Sequence, residues 1–244
     1  TTGGFALYFA TTTDSLAATS SSGKVEKLDA DGLPVDVVFT DGTNCSSDAG
    51  SVLDFYHEAY ASTTGEINSW IEVMDLSSTT NKTILMYYGN PDAGDLRDEA
   101  GVWGALGEAG VWNLNEDPGV AGVGDIKDST SNSNNGTTGG GMNSADSIDG
   151  KVGKALAFDG NDFIDLDDIG PLDGATEISF SAWVRSSTTA DQTIISGYGS
   201  SYQNDQELEI ALRNAGSGEL EAAVIHSTAN RTAWQYSNDG TVLD

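Results

Sequence analysis

An oxygen-rich loop in the middle of the chain has the residue types that could bind a metal ion. Asp128, Thr130, Asn132 and Asn134 occupy alternate positions, and Gly136 follows them. Ca²⁺ binds about six to eight oxygen ligands in proteins. Alternating oxygen-bearing side chains before a glycine therefore predict a loop that wraps around this cation. The spacing is not that of an EF-hand, because the second acidic position and the bidentate glutamate are absent.

Two further carboxylates, those of Asp159 and Asp162, lie in an Asp-Gly turn between two stretches that are predicted as strands. We expect one of them to join Asp128, Asn132 and Asn134 at an edge of a β-sandwich and to hold a structural Ca²⁺ with backbone carbonyls. The alternative is a series of Asx turns, in which Asn and Asp side chains bind their own backbone. The sequence leaves both interpretations open.

A second candidate site is an aromatic face on the predicted strand 176–185. Alternation along this strand places Trp183 and Arg185 on the side opposite to its apolar residues. An outward tryptophan beside an arginine can stack on a sugar ring and hydrogen-bond to its polar edge. Tyr198 and Tyr202 could lie nearby and extend this ligand-binding face. The alternative is that a neighbouring loop covers Trp183.

A catalytic function is a further alternative that rests on acidic side chains. A retaining glycosidase needs two carboxyl groups about 5–5.5 Å apart, and the predicted hairpin 206–226 carries two acidic pairs: Glu207 with Glu209, and Glu219 with Glu221. In so acidic a chain these pairs are more simply a solvated face. No nucleophile motif accompanies the two histidines, so the sequence predicts no catalytic residues and no enzyme.

The charge of the chain limits its partners. The 244 residues include only 10 Lys and Arg and have a formal net charge of −28. Such a surface repels nucleic acid and anionic membranes, because binding to both depends on neutralising phosphates. The carboxylates also repel one another, and high salt or bound Ca²⁺ would screen them. We therefore expect a saline or calcium-rich environment.

Four Asn residues begin N-x-S/T sequons: Asn44, Asn81, Asn135 and Asn230. They are candidate glycosylation sites if the protein is extracellular, although a chain so rich in Ser and Thr contains such sequons by chance. Cys45 is the only cysteine, so no internal disulfide can form. No stretch is long and apolar enough to predict a transmembrane helix.

The rest of the sequence predicts an all-β protein, because strand-like alternation and turn signals recur along it. The candidate strands are 5–10, 34–40, 52–60, 67–76, 83–89, 110–115, 154–159, 162–166, 176–185, 192–197, 206–213, 219–226 and 231–236. A short helix is predicted at 15–19. Pro, Gly and charged residues interrupt the pattern at 90–101, where we expect a domain boundary.

The first part of the chain resembles a domain of unknown function called DUF2341. The resemblance rests on four segments: DVVFTD at 36–41, HE at 57–58, WIEV at 70–73 and TILMYYGN at 83–90. It covers about residues 3–95 and lacks the opening strand of the family. It implies a β-sandwich domain at 1–95, incomplete at its N-terminus, followed by a linker at 96–109.

The second part, residues 110–244, resembles the laminin-G-like (LamG, concanavalin A-like) jelly roll. The segments that carry this resemblance are VWNLN at 111–115, the tract 128–136, GKALAFDG at 153–160 and ISFSAWV at 178–184. It implies a second β-sandwich whose last strands lie beyond residue 244. Members of this family are typically extracellular, bind sugars or proteins, and often carry a calcium ion.

These features together predict two β-sandwich domains in tandem in a secreted, cell-surface or virion protein. We expect a non-enzymatic adhesion function, with a glycan or a surface protein as the partner and Ca²⁺ as a structural ion. The alternative is a structural subunit of a filament, sheath or virion appendage that binds copies of itself. We expect neither nucleic acid binding nor membrane insertion.

Overall fold

The computed structural model describes residues 4–45, 47, 49–104, 106–119, 126–170, 177–186, 190, 192–197, 206–213, 219–226 and 231–236. Within these residues strands predominate, and helix is limited to one α-helix and three short 3₁₀ helices. The predicted all-β class is therefore confirmed. The chain forms two compact units, residues 1–173 and residues 174–244.

The described residues of the first unit include nine short strands and the α-helix. They are β1 (Phe5–Thr12), β2 (Val38–Thr40), β3 (Phe55–Ala61), β4 (Glu66–Val73), β5 (Leu85–Tyr87), α1 (Glu99–Gly104), β6 (Thr137–Gly139), β7 (Ser147–Asp149), β8 (Lys154–Leu156) and β9 (Phe163–Asp165). The strands form one sheet in the order β1-β4-β3 and three pairs, β2-β5, β6-β9 and β7-β8, all antiparallel. The 3₁₀ helices are Asp14–Leu16, Thr19–Ser21 and Ser144–Asp146.

The inner face of the β1-β4-β3 sheet builds the main core of the first unit. Side chains alternate across a strand, so β3 and β4 direct Phe55, Ile67 and Ile71 to this face, where all three are buried. They pack with Phe39 and with apolar residues of the loops before β2. The rings of Phe39 and Phe55 meet edge to face at 5.4 Å between centroids, a favourable aromatic geometry.

The outer face of the same sheet is covered by helix α1. Val102 and Trp103 are buried against Tyr56 of β3 and contact Trp70 of β4. The rings of Trp70 and Trp103 lie 5.1 Å apart. Residues 96–109, which the sequence predicts as a linker, thus contain a helix that packs on the sheet; the predicted domain limits themselves stay a prediction.

The two apolar stretches around the Asp-Gly turn are strands, but they do not pair with each other. β8 pairs with β7 through a tight turn in which the N–H of Gly150 donates to the carbonyl of Gly153 at 3.0 Å. β9 pairs with β6 instead. The Asp-Gly turn is held by its own side chains, since Asp159 N–H donates to Asp162 Oδ2 at 3.2 Å, so it connects two separate strand pairs.

Other predicted elements are shorter than expected or differ in type. Residues 110–115 form only an isolated bridge, between Trp112 and Asp128, rather than a strand. The predicted helix at 15–19 is replaced by the first two 3₁₀ helices. Strands β6 and β7 were not predicted, because three-residue strands rich in Gly, Ser and Thr carry little strand signal.

The second unit contains an antiparallel sheet of four strands in sequence order. They are β10 (Gln192–Gly197), β11 (Gln206–Arg213), β12 (Glu219–His226) and β13 (Arg231–Tyr236). The predicted hairpin 206–226 is confirmed, with Leu208 opposite Val224 and Ile210 opposite Ala222. The predicted strand 176–185 is not observed, because residues 177–186 have no sheet partner within the described residues.

Candidate functional site

The Asp128 carboxylate is the centre of the loop that the sequence predicts to bind a metal. Its Oδ1 accepts hydrogen bonds from the backbone N–H groups of Val111 and Thr130, both at 3.0 Å. Its Oδ2 accepts from the Thr130 hydroxyl and from the backbone N–H of Asn134, both at 2.9 Å. Because Asp128 is buried and both oxygens face donors of the chain itself, the carboxylate organises the loop as an Asx turn.

The amide side chains of this loop fasten it to the preceding segment. Asn132 Nδ2 donates to the carbonyls of Glu108 and Ala109 at 3.0 and 3.2 Å. Asn134 Nδ2 donates to the carbonyl of Ala109 at 2.8 Å. The carbonyl of Asn134 in turn accepts a hydrogen bond from Trp112 Nε1 at 2.8 Å. The side-chain amide N–H groups of Asn132 and Asn134 are therefore engaged with the chain itself.

These hydrogen bonds agree with the Asx-turn alternative. A hard cation needs several oxygens directed at one point, whereas the oxygens of Asp128 face N–H and hydroxyl donors. Asp159 and Asp162 belong to a separate turn, whose Asn161 side chain donates to the carbonyl of Gly140. Among the described residues, no group of three or more His, Cys, Asp or Glu side chains could hold a metal ion. The geometry supports the Asx-turn interpretation, and calcium binding stays a prediction.

The predicted sugar-binding face is described in part. Trp183 is 77% exposed, and Arg185 next to it is also exposed. Tyr198 and Tyr202 lie outside the described residues. The sugar-binding face therefore stays a prediction.

Three of the four sequon asparagines lie within the described residues, and all three are exposed: Asn44, Asn81 and Asn135. Asn135 also has a structural contact, because its Oδ1 accepts a hydrogen bond from the Asp128 N–H at 2.9 Å. Asn230 lies outside the described residues. Glycosylation stays a prediction at all four positions.

A buried aspartate that the sequence did not single out as a site residue joins three segments of the first unit. Asp36 is 2% exposed. Its Oδ2 accepts hydrogen bonds from the N–H groups of Glu26 and Gly89 at 2.9 and 3.0 Å, and its Oδ1 accepts from Lys27 N–H at 3.3 Å. A lone acidic residue within an apolar strand was the only available signal, since buried charges need partners.

Above Asp36, a cleft of about 410 Å³ opens between the end of β5 and the loop that follows it. Tyr87 and Tyr88 contribute aromatic walls, and Asn90, Asp92 and Leu96 lie along it. Tyr88 is 37% exposed and Leu96 is 49% exposed. Concave sites of this size with apolar walls and a few polar groups are typical of small-molecule binding.

His57 belongs to the core rather than to a reactive site. Its Nε2 donates to the carbonyl of Val37 at 3.2 Å, and its Nδ1 accepts from the Ser69 hydroxyl at 2.8 Å. Burial lowers the pKa of His57 to about 4. The ring is therefore neutral at physiological pH.

The outer face of the β1-β4-β3 sheet collects carboxylates. Glu58 Oε2 accepts hydrogen bonds from Trp70 Nε1 at 2.9 Å and from the Tyr56 hydroxyl at 3.4 Å, and Asn115 Nδ2 donates to Glu58 Oε1. Burial raises the pKa of Glu58 despite these donors. Burial and the neighbouring Asp54 raise the pKa of Glu72, whose Oε1 is buried without a hydrogen-bond partner.

The comparison with protein families supports one of the two resemblances. Residues 34–113 match a domain of unknown function (DUF2341). This match includes Asp36, the residues of the cleft and helix α1, and it extends past the predicted limit at residue 95.

The other comparisons add no relative. No laminin-G-like domain is identified in the chain by family comparison. No curated protein and no solved structure matched the chain. None of the helices in the described part of the chain is long and apolar enough to span a membrane.

Proposed function

We propose that this chain is a non-enzymatic recognition protein of the cell exterior or of a virion, and that it binds carbohydrate through residues 110–244 as a laminin-G-like module in a second β-sandwich. One observation carries the proposal: the Trp183 side chain is 77% exposed. An exposed indole offers an apolar ring face to a ligand. A sugar ring fits, because its apolar face stacks on an aromatic ring.

The neighbouring Arg185 supports the same ligand class. It is exposed within the same segment, two positions from Trp183. A guanidinium group donates several hydrogen bonds in a fixed plane, so it can bind the hydroxyl or carboxylate oxygens at the edge of a sugar. The low content of basic residues, 10 in 244, supports a carbohydrate rather than nucleic acid as the ligand.

The test is a glycan array probed with the intact chain and with Trp183→Ala. We expect the wild-type chain to bind a defined set of glycans and Trp183→Ala to lose at least tenfold in affinity. Phe5→Ala is the matched control, because Phe5 is also an exposed aromatic residue but lies outside residues 110–244. Equal binding by the Trp183→Ala variant and the wild-type chain would refute the proposal.

A second candidate function is a structural subunit that binds copies of itself. It is favoured by a different observation on the same segment: Ile178, Phe180 and Val184 are exposed as well. A run of exposed apolar side chains is a feature of protein–protein contacts. Size-exclusion chromatography over a range of salt concentrations distinguishes the two functions. Polymers formed by the wild-type chain but not by the Phe180→Ser variant would favour the structural subunit.

The proposal rests on Trp183 and not on calcium, whose binding stays a prediction. The acidic surface, with a net charge of −28, supports a location outside the cell in saline surroundings, where the Debye length is only a few ångströms. Sugar binding that is unchanged by EGTA would agree with a carbohydrate site that works without calcium.

A further inference from the structure

We propose that the cleft between β5 and the loop 90–97 is a second binding site, independent of Trp183, and that its ligand is a neutral pyranose ring. The cleft lies entirely within the segment that matches the domain of unknown function. The residues that line the cleft, the rigidity of its loop and the charges around it each limit which ligands could bind.

The size and the walls of the cleft suit one sugar ring or two. Its volume is about 410 Å³, within the range of about 300–1,000 Å³ that small-molecule sites have. Tyr87 and Tyr88 are consecutive residues that both line it. Tyrosine offers an apolar ring face together with a hydroxyl, and a pyranose has the complementary apolar face and polar edge.

The loop that forms the other side of the cleft is held in place by charged groups. Lys27 Nζ donates to the carbonyl of Ala93 at 2.5 Å. Arg97 contacts Asp29 at 2.7 Å and binds Asp95 through two hydrogen bonds of 2.8 and 2.7 Å. The bond from Arg97 lowers the pKa of Asp95 to about 2, so this pairing persists through ordinary pH. A ligand would therefore enter a preformed site, which reduces the entropic cost of binding.

The charges around the cleft argue against an anionic ligand. The described residues that line it include Asp36 and Asp92 but no lysine or arginine. The nearby cations, Lys27 and Arg97, are already engaged with the loop. An acidic sugar or a phosphate would thus meet carboxylates without a cationic partner, which is unfavourable.

The remaining polar groups match the hydroxyls of a neutral sugar. Asp36 at the cleft already accepts three backbone N–H groups, so its charge is compensated. Asp92 is exposed at the cleft, and a carboxylate can accept hydrogen bonds from two adjacent hydroxyls. The Asn90 side chain lies beside it and accepts from Asp92 N–H at 3.1 Å, which fixes its orientation and leaves its amino group as a donor.

The experiment titrates the isotope-labelled intact chain with methyl glucoside, methyl galactoside and methyl mannoside, and follows the backbone amide signals of Gly89, Asn90 and Gly94 by NMR. We expect saturable shifts at these amides with at least one glycoside. Tyr88→Ala and Asp92→Asn should each weaken this binding about tenfold or more. Trp183→Ala and the exposed-aromatic control Phe158→Ala should leave it unchanged.

The other outcomes each overturn the inference in a defined way. Choline chloride serves as a cationic probe, and Tyr88-dependent shifts with choline alone would assign the cleft to an ammonium ligand. Glycoside binding that Trp183→Ala abolishes and Tyr88→Ala leaves intact would support the function proposed above while refuting this second site. Absence of shifts at all three amides up to the solubility of the glycosides would refute it outright.

Discussion

Two groups of carboxylates in the first compact unit have opposite surroundings. Asp36 and Asp128 are buried, and their oxygens accept three and four hydrogen bonds from N–H or hydroxyl groups of the chain. Asp54 and Glu72 lie on the outer side of the β1-β4-β3 sheet, where burial and a neighbouring carboxylate raise the pKa of each.

The difference shows that the same side chain chemistry can stabilise or destabilise the fold. Where backbone donors converge, a carboxylate offsets the cost of burying those N–H groups. Where carboxylates approach one another with few donors, their charged forms are penalised by burial and by repulsion. The extreme acidity of the chain, 38 Asp and Glu residues, therefore has structural consequences that depend on position.

Asp36→Ala should have the largest effect of the substitutions that test this comparison. It would leave the N–H groups of Glu26, Lys27 and Gly89 without their acceptor, which should lower the free energy of unfolding by about 3 kcal/mol. Urea denaturation measures the change. Asp36→Asn, which keeps one acceptor oxygen, should lose less; equal losses for both variants would mean that the hydrogen bonds are not the cause.

Asp128→Ala should be the next most destabilising change, with a loss of about 2 kcal/mol. Asp128 is 8% exposed, against 2% for Asp36, so water can replace part of the lost bonds. The thermal transition should be measured with CaCl₂ and with EGTA. We expect the melting temperature of the wild-type chain to be the same in both; a rise with CaCl₂ that Asp128→Ala removes would restore the calcium site.

Glu72→Gln should stabilise the protein, by about 1 kcal/mol at pH 7. The folded protein raises the pKa of Glu72, so the charged form is penalised above that pKa and the penalty disappears as the pH falls below the unfolded value. The gain should therefore be present at pH 7 and vanish near pH 4. Stability curves at several pH values check this, and a gain that is independent of pH would indicate packing rather than charge.

Asp159→Asn should have the smallest effect, within about 0.5 kcal/mol. Asp159 is exposed, and its Oδ1 accepts a single backbone hydrogen bond, from Asn161 at 3.1 Å, which an Asn side chain can also accept. The variant is measured in the same CaCl₂ and EGTA series as Asp128→Ala. A large loss that appears only with CaCl₂ would show that the two predicted ligands act on one ion.

The sequence predicted strands where alternation is long and apolar. β1, β10 and the hairpin of β11 and β12 lie at the predicted positions. Their runs of about six to eight alternating residues are long enough to indicate a strand rather than a helix. Helix α1 was missed, since six residues with two glycines carry almost no helical periodicity. It forms because Val102 and Trp103 can be buried against Tyr56 and Trp70, a contact between segments far apart in sequence.

For the loop around Asp128, the sequence predicted which residue types are present but not which groups they contact. A row of Asp, Thr and Asn at alternate positions is compatible with both a cation loop and an Asx-turn loop. The hydrogen bond from the Val111 N–H to the Asp128 carboxylate favours the Asx-turn loop. The cleft beside Tyr88 was not predicted, because its two sides come from the end of β5 and from the loop that Lys27 and Arg97 hold.

The sequence by itself determined the all-β class, the acidic surface and the presence of a segment with the features of DUF2341, since composition and local alternation are properties of the chain alone. Tertiary structure decided which carboxylates are held by backbone donors and which repel one another. It also decided which strands pair, as β8 and β9 illustrate by pairing with β7 and β6. The physical reason is that hydrogen bonds and charge interactions depend on distances between segments, and only the folded chain sets those distances.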